Sequence, residues 1–159
     1  MINRTSSLII TLLIISTLVF FIIKNDHNSK MNSFSCTGGY NLYDHSYSLK
    51  STITIAIANN KGKISLLGDY YINGIKQAPV RIASNFSIQR SGNIYSVKNF
   101  SSQVNPVSLL SDAGFMNMMN MSIFKNGMIS VYNIYRQKNG DYIFLNASNP
   151  LFSCYASTR

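Results

Sequence analysis

General acid–base chemistry needs a carboxylate pair, or a histidine held beside a reacting group. This chain has two His, and its five acids are all Asp: Asp26, Asp44, Asp69, Asp112 and Asp141. His27 falls in a polar stretch, and His45 follows Asp44 in a Tyr-rich segment. Sequence neighbours point to opposite faces of a strand, so Asp44-His45 reads as a surface feature and not as a catalytic dyad. Gly38-Gly39 lacks the downstream Lys and helix of a phosphate-cradling loop. The run Phe115-Met116-Asn117-Met118-Met119-Asn120-Met121 offers thioethers, but no His accompanies it. Core packing is its default reading, ahead of an adaptable apolar contact surface and of a soft-metal site. Asn85-Phe86-Ser87 matches a glycosylation triplet, as chance allows in so Asn- and Ser-rich a chain. No enzyme is expected, and no catalytic, cofactor or metal residue is assigned.

The residues that remain are the two cysteines, Cys36 and Cys154. Neither has a His or a second Cys at ligand spacing, which leaves a metal pair or a nucleophilic thiol weakly supported. One pair at the two ends of an exported domain reads as a disulfide joining first and last strands. Closing a loop of about 120 residues would contribute roughly 4–5 kcal/mol in the chain-entropy model.

Export is suggested by the apolar run from Ser7 to Ile23 (SLIITLLIISTLVFFII), which holds no charge, Pro or Gly. Its length approaches the roughly 20 residues that cross a hydrocarbon core as a helix. A cleaved signal would show a small-x-small site after the run, whereas Ile22-Ile23-Lys24-Asn25-Asp26-His27 follows directly. A lipoprotein reading fails because Cys36 lies too far on. An uncleaved anchor is therefore favoured over a signal peptide or a buried helix. Arg4 and the terminal amine against Lys24 and Lys30 give no real charge asymmetry. The short N-terminal tail and the cysteines place the N-terminus in the cytoplasm and the rest outside. The expected organisation is a tail (1–6), an anchor (7–23), a tether (24–33) and one exported domain (34–159).

That domain is basic: the whole chain carries fourteen Lys and Arg against five acids, for a net charge of +9. The cations are scattered singly at strand ends and turns, which favours solvated edges near an anionic bilayer over direct nucleic-acid binding. Its elements read as strands. Phe34 to Tyr43 comes first, carrying Cys36. Leu49 to Ala58 alternates most cleanly, with Leu49, Ser51, Ile53, Ile55 and Ile57 on one face. Lys63 to Ile72 returns, with Gly68 as a bulge or bend. Asn73-Gly74 predicts a type I′ hairpin. Pro79 hints at an edge, Val80 to Ile88 alternates again, and Ile94 to Val104 follows a Ser91-Gly92-Asn93 turn. Asn105 as N-cap and Pro106 at N1 predict one short helix. Strands resume over 128–136, 142–147 and 151–156. The expectation is a mainly β fold: an N-terminal transmembrane helix, then an antiparallel curled sheet or lipocalin-like partial barrel with one short helix.

Phe34-Ser35-Cys36 and Phe152-Ser153-Cys154, at the two ends of an exported β domain behind a short anchor, resemble the FidL-like membrane proteins of enteric bacteria. The resemblance is one of architecture and landmarks over most of the chain. It implies a bacterial inner-membrane, single-pass protein with a periplasmic domain. Its partner would be a membrane-anchored, ToxR-like winged-helix transcription regulator, as for the ToxS-like and VtrC-like small partners. It implies stabilising or modulating that regulator, in a shared barrel that senses a small apolar ligand such as a bile salt. Candidate residues for an apolar pocket or interface are Ile53, Ile55, Ile57, Met116 and Met119. The alternative is an independent periplasmic ligand-binding or envelope-stress module without a regulator.

Overall fold

The computed structural model describes residues 4–119 and 125–157, with the side chains of residues 4–11 and 26–30 outside the description. The chain divides into two compact units, Met1–Ser33 and Phe34–Arg159.

The first unit is one helix, α1 (Arg4–Asn32). The segment expected as a polar tether continues this helix through Asn32, since 24–32 holds no Pro or Gly to stop it. Leu12, Leu13, Ile14, Ile15, Leu18, Val19, Phe20, Phe21, Ile22 and Ile23 are all exposed. The hydroxyls of Ser16 and Thr17 donate back to the Leu13 and Ile14 carbonyls, at 3.0 and 2.8 Å. Among the described residues, no helix is long and apolar enough to cross a membrane.

The second unit is a closed antiparallel barrel of eight strands in sequence order. These are β1 (Phe34–Asp44), β2 (Tyr47–Ala58), β3 (Lys61–Ile72), β4 (Ile75–Ser91), β5 (Ile94–Asn105), β6 (Ile129–Arg136), β7 (Tyr142–Asn146) and β8 (Asn149–Ala156). The ring closes where the sequence left a curled or partial sheet open. Period-two alternation puts one face of each strand inside: Leu49, Ser51, Ile53, Ile55 and Ile57 of β2 are buried, as are Val80, Ile82, Ser84, Phe86 and Ile88 of β4.

Two-residue turns fix the long hairpins. Asn59 and Asn60 lie at φ 51° and 60°, and Asn73 and Gly74 at 51° and 77°, the left-handed pair that a twisted hairpin requires. Pro79 lies where β4 overhangs β5, whose pairing with β4 begins only at Arg81, so its missing N–H breaks no ladder bond on that side. Gly68 is not the bulge; the register shifts two residues later, between Tyr70 and Tyr71. Instead a Cβ at Gly68 would collide with the Lys50 carbonyl and Ser51, so this glycine lets β2 and β3 approach closely.

The short helix also differs from expectation. Asn105 belongs to β5, Pro106 precedes a 3-10 turn (Val107–Ser111), and α2 (Ala113–Met118) follows. Asp112 is the cap: its carboxylate accepts the Phe115 N–H at 2.9 Å, whereas Pro106 has no side chain to accept a bond.

Candidate functional site

The barrel interior is the first place to seek a site, since Ile53, Ile55 and Ile57 all point into it. Together with Ile64, Phe86, Val97, Tyr132, Ile134, Phe144 and Phe152 they surround a cavity of only about 20 Å³. That is room for about one water, and an apolar wall offers it no partner. A small-molecule site usually encloses ~300 Å³ or more. Aromatic rings do the filling: Phe144 stacks on Phe152 at 4.6 Å and Phe34 on Tyr142 at 4.1 Å. These isoleucines are packed core, and the candidate set divides, because Met116 and Met119 do not line this cavity.

Met116 and Met119 belong to the opposite mouth, where the β1–β2 and β3–β4 turns lie. There Met119 is buried and Met116 half-buried beside the buried Phe115 and Met118 of α2. Asn120 and Met121 lie outside the described residues. Tyr70 holds this mouth together. Its ring meets Phe115 edge-on at 5.3 Å and stacks on Tyr47 at 6.3 Å, while its hydroxyl donates to Asp112 at 3.1 Å. Burial, then the Asp112 carboxylate, pushes the Tyr70 phenol well above its ordinary value. Such a phenol holds its proton and donates to Asp112, so the cluster fastens α2 to β3.

His45 occupies the β1–β2 turn at φ 50°, which brings its Nδ1 within 2.6 Å of Asp44. Both side chains are exposed. Among the described residues, no group of three or more His, Cys, Asp and Glu is placed to hold a metal.

Cys36 and Cys154 are disulfide-bonded, with Cα atoms 5.4 Å apart. They sit where the ring closes. Among the described residues, strands β1 and β8 pair through Cys36–Ala156 and Thr37–Tyr155, extended by the Ser157 N–H to the Ser35 carbonyl at 3.0 Å. A Cβ at Gly38 would collide with the Ser153 carbonyl, so this seam needs glycine beside the cysteine.

The outer wall carries what pattern reading missed. On β5 and β6, Ile94, Ile129, Val131 and Tyr135 face outward, with Ile129 61 % and Val131 52 % exposed. The β6 signal MISVYNIYR is apolar on both faces, and that was the legible hint. A second feature is a groove of about 350 Å³ that includes Phe34, Ala58, Lys61, Lys63, Asn85 and Phe100 in its walls. No protein-family model matches the chain, and no curated protein matches it.

Proposed function

We propose that this chain is a single-pass inner-membrane protein whose periplasmic barrel is an accessory subunit. Its partner is a membrane-anchored, ToxR-like winged-helix regulator. The observation that carries the reading is the pairing of a filled interior with an exposed apolar strip on β5–β6. Exposed apolar patches of this kind favour protein partners, and a barrel with no lumen acts through its outside. Several neighbouring apolar side chains on one wall form such a patch, rather than the scattered singles of an ordinary surface.

Three features support the membrane and export parts of the proposal. The exposed apolar side chains of α1 find a compatible solvent in lipid. The Ser16 and Thr17 hydroxyls are satisfied within the helix, as a bilayer demands. The disulfide fits an oxidising compartment.

In this reading the partner docks on the wall and does not complete the ring, because eight strands of this chain already close it. A strand shared between the chains would have to enter at the β1–β8 seam, which the disulfide opposes. An apolar ligand such as a bile salt would bind where the partner covers the strip, and would shift the regulator by differential affinity for its two states. The second reading, a self-contained periplasmic binding or envelope-stress module, is favoured by the same self-closure.

The test is a gentle-detergent pull-down of the full-length tagged protein at native expression. Recovery of a membrane-anchored DNA-binding regulator, lost with Ile129→Asp/Val131→Asp while the barrel stays folded by circular dichroism, is the expected result. Recovery of no such regulator overturns the accessory reading and leaves the self-contained module.

A further inference from the structure

The acids of the barrel are unevenly shared between its ends, while cations occur at both. Call the near end the one where the chain enters at Phe34, two residues after α1 stops at Asn32. The β2–β3, β4–β5 and β6–β7 turns are there too, bringing Lys61, Lys63, Arg90, Arg136 and Lys138 against Asp141 alone. Asp141 is engaged locally, accepting from Asn139 at 2.8 Å. The opposite end has the other three acids of the barrel, Asp44, Asp69 and Asp112. There Asp69 pairs with Lys76 at 2.7 Å and Asp44 with His45. Among the described residues, neither Lys61 nor Lys63 has an ion-pair partner.

The groove lies at this basic end. Lys61 and Lys63 alternate onto the outer face of β3, next to Ala58, and both are exposed. Phe100 faces them from β5. It is skipped in the β4–β5 register, between Asn99 paired with Phe86 and Ser101 paired with Asn85, and this bulge turns its ring outward, 57 % exposed. Two ammonium groups, an amide from Asn85 and an exposed ring therefore share one concave surface of about 350 Å³.

We propose that this groove is a binding site for the headgroup of an anionic phospholipid in the bilayer that α1 spans; the site rests on the anchor reading above. The lysines pair with the lipid phosphate, and the Phe100 ring sits at the headgroup level, where amphipathic and aromatic side chains favour the interface. Reach allows it. Residues 24–32 are helical and extend at most about 13 Å past the apolar run at 1.5 Å per residue.

The test reconstitutes the full chain into nanodiscs of phosphatidylcholine, with or without phosphatidylglycerol. Each lysine is then labelled with an uncharged amine reagent and read by mass spectrometry. Labelling of Lys61 and Lys63 should fall about fivefold with phosphatidylglycerol, and recover in high salt. Lys50 and Lys76, toward the opposite end, should label equally in both discs. Phe100→Ser should weaken the protection. Equal labelling of Lys61 and Lys63 in both discs, with the chain retained, overturns the lipid site alone. A chain that leaves both kinds of disc overturns the anchor and the site with it.

Discussion

Three tyrosines of this barrel, Tyr40, Tyr70 and Tyr95, are held in their neutral form. Burial raises Tyr95 to about 12 against the opposing pull of the Arg90 guanidinium, and raises Tyr40 and Tyr70 further. The unfolded phenols ionise near 10, so above that pH the unfolded chain releases protons that the folded chain keeps. Stability contributed by these groups is complete below pH 10 and declines as pH rises toward their folded values. The urea midpoint is expected to show no tyrosine-linked change below about pH 9 and to fall above pH 10, with Tyr70→Phe making the fall shallower. An alkaline limb that Tyr70→Phe leaves unchanged would remove Tyr70 from this account. None of this was readable from residue type, because it depends on which ring the fold buries.

At the scale of elements, Asp112 does two things at once: it caps α2 through the Phe115 N–H and accepts the Tyr70 hydroxyl. Asp112→Ala is therefore expected to cost about 1–2 kcal/mol, measured by chemical denaturation. Asn105→Ala should stay within about 0.5 kcal/mol, since Asn105 is an exposed strand residue. Equal losses in the two variants would mean that the cap is not what anchors α2. Asn-Pro is a helix-start signal, yet it was outcompeted here. A carboxylate seven residues further on finds both a free amide and a buried phenol, and only the packed mouth supplies the second. The strands were far more legible. Alternation in β2 and β4, Asn73-Gly74 and the overhanging Pro79 are local chemistry, and the folded barrel uses each of them as the local pattern requires.

For the whole molecule, the decisive contact is the β1–β8 seam, where two residue pairs and one disulfide turn a meander into a ring. The disulfide closes a separation of 118 residues. Its removal in Cys36→Ser/Cys154→Ser should lower the unfolding free energy by about 4–5 kcal/mol, read by urea titration against the oxidised protein. A loss below about 1 kcal/mol would assign the closure to strand pairing and aromatic packing instead. The amino-acid sequence by itself determined the strands, most of their turns, the apolar run and the pairing of the two cysteines. Each of these follows from short-range patterning or from the arithmetic of two thiols. Only the tertiary structure decided that the sheet closes on itself, that Ile53, Ile55 and Ile57 meet aromatic rings around a cavity of about 20 Å³, and that Lys61 and Lys63 share a groove with Phe100. Those outcomes depend on register and on the volumes that distant side chains fill, which no local pattern specifies.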